Sequence, residues 1–150
     1  ALWFSVGPYD PVLYRDTFGV ETVEGVMGGG AWNAKTSPGA AELVELHKQY
    51  WGIEPDYWGA LYYWSSLQHF QKAIEKAGTL DQKVVRDVLA TSKFDTALGP
   101  YWYDERRFLA KECHPGEIGQ WQKGIFEVID KSPKRTAPPL YPKPAWPKKK

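Results

Sequence analysis

Three histidines, one cysteine and a scatter of carboxylates are the residues able to do chemistry here, and their spacing limits what chemistry that is. His47, His69 and His114 fit no metal pattern such as His-Glu-x-x-His. A lone cysteine, Cys113, forms neither an internal disulfide nor a cysteine-based metal site. His47 is expected at the edge of a helix face, His69 in solvent and His114 in the loop before Pro115. Cys113 and His114 are adjacent in an extended segment, so thiol and imidazole point to opposite sides and no third group orients the base. Asp10, Asp16, Glu21 and Glu24 fall near strand ends, and a carboxylate pair there would suit glycoside hydrolysis. Nothing in the sequence draws two of them together. Gly28-Gly29-Gly30 is followed by no Gly-Lys-Ser, and the next helix starts only at Ser37, which argues against a nucleotide site.

The aromatics are the stronger signal: eight Trp, nine Tyr and six Phe, enough to line a small-molecule pocket as well as fill a core. Helical spacing assigns Trp51, Tyr63, Trp64 and Phe70 to packing. Tyr9 and Trp32 sit instead at strand ends, beside Pro and Gly, where α/β folds place their ligands.

The elements that must position these residues can be read in order. Residues 1–6 are apolar nearly throughout, β-prone and stopped by Gly7-Pro8, the pattern of a strand buried on both faces. Such a strand at residue 1 suggests that its neighbours belong to upstream sequence. Val12 to Phe18 predicts a short helix closed by Gly19, and Glu21 to Met27 a second strand running into the three glycines. Ser37-Pro38 opens a helix with Ala40, Leu43, Val44, His47, Tyr50 and Trp51 on one face. Pro55-Asp56 starts the longest helix, whose stripe is Ala60, Tyr63, Trp64, Leu67, Phe70, Ile74 and Ala77, with Gly78 at its end. Thr79 to Gln82 matches a capping box for a further helix. Gly119 to Gln122 and Ile125 to Ile129 predict a hairpin about Lys123-Gly124.

The net charge of +1 hides an asymmetry: residues 131–150 hold seven Lys or Arg and no acid, leaving 12 bases against 18 acids elsewhere. Six prolines in that tail predict an extended, solvated or surface-strapped course pinned by Tyr141 and Trp146, rather than a nucleic-acid-binding arm. No stretch reaches the roughly 18 apolar residues needed to span a bilayer.

Glu24-Gly25-Val26 through Ala31-Trp32-Asn33, then Lys48 to Tyr57, Ala73 to Gly78, Asp81 to Ala90, Phe94-Asp95-Thr96, Gly99-Pro100 and Gln120-Trp121-Gln122, taken as an ordered set, resemble the leucine/isoleucine/valine-binding family of periplasmic proteins. The resemblance implies an α/β type I periplasmic-binding fold: two lobes joined by three crossovers, closing on a ligand. Residues 1–24 would end the second lobe, 25–130 would hold a crossover and the C-terminal part of the first lobe with return strands, and 131–150 the tail. Much of the first lobe would be absent, and the helix faces it covers would drive association of this chain or strand exchange.

By the same resemblance the protein is no enzyme and needs no cofactor. It would be an extracytoplasmic solute-binding component, periplasmic or extracellular, that hands a branched-chain amino acid or similar small organic acid to a membrane permease. A ligand-sensing regulatory domain of the same fold is the alternative, and a glycosidase fragment using Asp10 or Glu24 a more distant one. Members that bind amino acids meet the ligand ammonium with a Gly-Pro-acid loop; the matching piece is Gly7-Pro8-Tyr9-Asp10, with tyrosine where the acid is expected. Gly7, Tyr9, Asp10 and Trp32 are therefore the ligand-binding candidates, in a pocket that also suits an aromatic or other organic acid.

Overall fold

The computed structural model describes residues 2–4, 7–114 and 116–147, the first three by their backbone only. Strands β1 (Leu2–Phe4), β2 (Val26–Gly29), β5 (Ile118–Gln122) and β6 (Ile125–Val128) form one sheet in the order β1-β2-β5-β6. β1 runs parallel to β2, and the other two pairings are antiparallel. A separate ribbon pairs β3 (Phe94–Thr96) with β4 (Gly99–Tyr101). Of the expected strand over residues 1–6, Ala1, Ser5, Val6 and all the side chains lie outside the described residues.

The hairpin forms as predicted: Lys123 and Gly124 take φ of 52° and 81°, the positive pair that lets a two-residue turn match strand twist. Its alternation divides two environments. Trp121, Phe126 and Val128 are fully buried in the core with Trp32, Leu61 and Leu98. Gln120 and Glu127 face the other way, yet are 1% and 5% exposed, because the tail lies across them.

That tail is held by polar side chains, not by the predicted aromatics: Tyr141 and Trp146 are 77% and 53% exposed. Gln120 donates to the Gly25 and Leu140 carbonyls (3.1 and 3.0 Å) and accepts from the Leu140 amide (2.7 Å). Gln122 donates to Pro138 O, and Thr136 accepts from the Val128 amide. Proline-rich chain offers many carbonyls and few amides, so long amide side chains grip it better than rings do.

Between β1 and β2 the segment Pro11–Asp16 is a wide π-type turn, and Gly19, at φ 83°, returns its amide to Arg15 O as expected of a closing glycine. The predicted strand over Glu21 to Met27 is corrected. α1 (Val20–Val23) is a helical turn and β2 starts only at Val26. One buried residue, Val23, satisfies a single turn as readily as a strand, so a short alternation did not discriminate.

α2 (Pro38–Trp51) follows its signals: Ser37 Oγ accepts from the Ala40 amide, and Gly52 closes it at φ 72°. α3 (Gly59–Ala77) forms, but the buried stripe is Leu61, Ser65, His69 and Ala73. The predicted stripe faces outward, with Tyr63, Leu67 and Phe70 at 71%, 65% and 48% exposure; Trp51 and Trp64 are likewise exposed. The β3–β4 turn explains the choice. Its Leu98 and Ala97 amides need acceptors, which Ser65 Oγ (2.9 Å) and Gln68 Oε1 (2.7 Å) provide, so the polar side of α3 turns inward.

His69 is corrected with it: the ring is fully buried among Phe94, Tyr101 and Tyr103 at centroid distances of 5.1, 4.9 and 5.3 Å. Desolvation lowers its pKa and keeps it neutral. At α4 (Gln82–Thr91) the cap is Asp81, which accepts from the Lys83 and Val84 amides, rather than Thr79.

Glu54 ties three elements together, receiving Arg15 (2.7 Å), the Tyr57 hydroxyl (2.9 Å) and Lys48 (3.2 Å). Burial alone would raise its pKa; the bonds from Arg15, Tyr57 and Lys48 outweigh it and leave the value lowered. A depressed carboxylate contributes stability above its unfolded pKa of about 4.3 and loses it as pH falls through the folded value. Urea midpoints should therefore drop below about pH 4.3 in the native chain, and Glu54→Gln should flatten that part of the profile; an unchanged slope would count against the role given to Glu54.

Candidate ligand-binding site

The loop after β1 is fastened at three points. Gly7 O accepts from the Asp10 amide at 3.1 Å, Pro8 O accepts the Trp121 indole N–H, and Tyr9 O accepts from the Tyr57 amide at 2.9 Å. Asp10 caps the following turn, its Oδ1 accepting from the Leu13 amide at 2.9 Å. The Tyr9 ring is left half-buried against Trp58, centroids 5.4 Å apart and planes tilted by 33°.

Trp58 stands just before α3, where the Asp56 carboxylate accepts from the Trp58 amide (3.0 Å) and the Gly59 amide (2.5 Å). Its indole crosses Gly30, at φ 59°, so closely that a Cβ there would lie 1.7 Å from the ring. Only glycine combines that left-handed backbone with such an approach. The triple glycine thus serves a close contact at its last member.

Behind the indole opens a cavity of about 420 Å³ lined by Gly30, Trp58, Tyr62, Tyr63, His114 and Glu117, among others. The Tyr62 hydroxyl meets His114 Nδ1 at 3.3 Å. Burial first, then the negative charges of Asp130 and Glu117, push the Tyr62 pKa up, so the phenol keeps its proton as a donor. Apolar ring faces, one neutral donor and one carboxylate rim suit a small organic molecule held by stacking and a few hydrogen bonds.

The four sequence candidates separate. Tyr9 reaches this wall through Trp58. Gly7 and Asp10 shape the loop behind it. Trp32 is fully buried, edge-on to Tyr57 at 5.4 Å, and its indole N–H has no partner among the described residues. Trp58, Tyr62 and Glu117 escaped sequence reasoning; the i, i+4 spacing of Trp58 and Tyr62 beside the capping Asp56 was the available signal.

The remaining candidate groups have other partners. Glu24 accepts from the Lys123 amide at 2.7 Å and Asp16 pairs with Arg15, so neither faces Asp10 across a cleft. Cys113 is buried, its thiol pKa raised by that burial, and it points to Trp102 O while His114 faces Tyr62. Among the described residues no group of three or more His, Cys, Asp or Glu is placed to hold a metal.

No family model matches the sequence. Among solved structures, the leucine-binding protein LivK of Thermotoga maritima MSB8 superposes with a TM-score of 0.61 at 23% identity, over 85% of this chain and 36% of its own. A protein of Silicibacter pomeroyi, named as a candidate branched-chain amino acid ABC transporter, gives 0.67 at 15% identity over 91% and 39%. The chain spans well under half the length of either. At these identities the likeness carries the fold alone: the chain has the architecture of part of a type I periplasmic-binding fold.

Proposed function

We propose that this chain is part of the extracytoplasmic solute-binding component of an ABC transporter, holding a small organic ligand against Trp58 and Tyr62, with Tyr9 supporting the Trp58 ring. The observation that carries the reading is the aromatic cavity between Gly30 and the start of α3, whose Trp58 wall is backed by Tyr9, in a fold shared with proteins named for binding leucine and transporting branched-chain amino acids. The ligand is a branched-chain amino acid or a similar small organic acid, and the partner is a membrane permease. Residues 1–24 close the second lobe, and residues 25–130 carry the crossover and the C-terminal part of the first. Among the described residues no helix is long and apolar enough to cross a membrane.

Supporting the lobe assignment, α2 and α3 present Tyr50, Trp51, Tyr63, Trp64, Leu67 and Phe70 to solvent, an apolar surface that the remainder of a two-lobed protein would cover. Light scattering on the 150-residue chain should show association through this face; a stable monomer would weigh against the assignment. Function is tested by calorimetry of the complete gene product with amino acids and small carboxylates. Saturable binding without turnover, weakened about tenfold or more by Trp58→Ala, is expected; silence across the panel would sink the proposal.

A further inference from the structure

A second cavity, of about 530 Å³, lies on another part of the molecule, between α4 and the turn after β4. It is lined by the apolar surfaces of Leu89, Ala90 and Tyr103 and by the charged side chains of Arg86, Asp87 and Arg107. The charges do not cancel. Arg86 is committed to Asp87 through Nε and a terminal nitrogen (2.8 and 2.6 Å), which leaves the Arg107 guanidinium as surplus positive charge.

The turn isolates Arg107 by construction. Asp104 accepts from the Arg106 and Phe108 amides and from the Arg106 side chain at 3.0 Å, and its carbonyl accepts from the Arg107 amide at 2.9 Å, so the neighbouring arginine is consumed while the Arg107 guanidinium finds no partner among the described residues. Arg107 also holds φ at 66°, a left-handed conformation in which a side chain is strained and glycine is not. Strain retained at an unpaired arginine side chain lining a cavity is what a binding role would preserve against the stability glycine offers. The Tyr103 hydroxyl, its pKa pushed up to about 12 chiefly by burial, stays protonated and adds no repulsive charge.

We infer that this cavity is a second ligand site, independent of the Trp58 cavity, for a small carboxylate with an apolar body, the carboxylate on the Arg107 guanidinium and the body on Leu89, Ala90 and Tyr103. A planar guanidinium meets a carboxylate through two parallel hydrogen bonds, and an amide of the same shape forfeits that pairing.

Phenylacetate and its neutral isostere phenylacetamide are the probes, titrated into the isotope-labelled chain and followed by NMR. Saturable shifts on α4, with those of the His69 ring behind Tyr103 as a buried reporter, are expected for the acid, at an affinity about tenfold above the amide, the size of a charge-assisted pair. Arg107→Gly should raise Tm while lowering acid affinity to that of the amide, so loss of binding cannot be ascribed to misfolding. Asp87→Asn, which frees Arg86, should tighten the acid. Equal response to acid and amide, no saturable shift on α4 at millimolar probe, or an Arg107→Gly variant that binds the acid normally would each overturn the inference.

Discussion

Replacing Trp121 with alanine should lower the stability of the chain by about 3–5 kcal/mol, the range for truncating a large buried aromatic ring. The indole is fully buried, packs on Phe126 at 5.2 Å and Tyr57 at 6.3 Å, and lies under the Arg15 guanidinium at 5.8 Å. It also donates its N–H to Pro8 O, so the same substitution releases the loop that presents Tyr9. Urea denaturation reads the first effect. Trp121→Phe separates the second: most of the packing survives, the bond to Pro8 does not, and faster amide exchange at Tyr9 and Asp10 should accompany a smaller stability loss. Unchanged exchange would mean that the bonds from Asp10 and Tyr57 hold the loop alone.

Gln120→Leu should cost about 1–3 kcal/mol, the penalty for leaving a buried polar group unpaired. Leucine fills the volume but returns nothing to the buried Gly25 carbonyl or to Leu140, each bonded to Gln120 in the native chain. The second readout is local. With its central fastening gone, the tail should lift, and trypsin should cut after Arg135 sooner than in the native chain. Equal cleavage rates would show that Thr136 and Gln122 suffice to hold it.

How far the sequence alone was legible follows from what each signal measures. The ends of α2 were plain because a serine hydroxyl before proline and a glycine after the last turn act on their own backbone, within a few residues of themselves. The β5–β6 hairpin was plain for the same reason, since Lys123 and Gly124 make the turn locally. The inward face of α3 was not, because Ser65 and Gln68 are drawn in by amides about thirty residues away, and periodicity names a face without naming its neighbour. His69 was misplaced by the same inversion. Tyr9 was singled out from its position at a strand end and packs against Trp58, whereas Glu117 and His114 meet Tyr62 only through tertiary folding.

β6 is one of the two outermost strands of its sheet, and an outermost strand is a template on which another chain can pair and aggregate. Here three outward hydrogen-bonding groups are taken: the Phe126 carbonyl by Asn33, the Val128 amide by the Thr136 hydroxyl, and the Val128 carbonyl by the Thr136 and Ala137 amides. Pro138 and Pro139 follow at once, and lacking N–H groups they cannot extend the ladder as a further strand. The tail therefore covers the β6 margin without creating a new one, and a chain trimmed before Ser132 should fold to a similar sheet yet deposit as fibrils or amorphous aggregate at concentrations the longer chain tolerates.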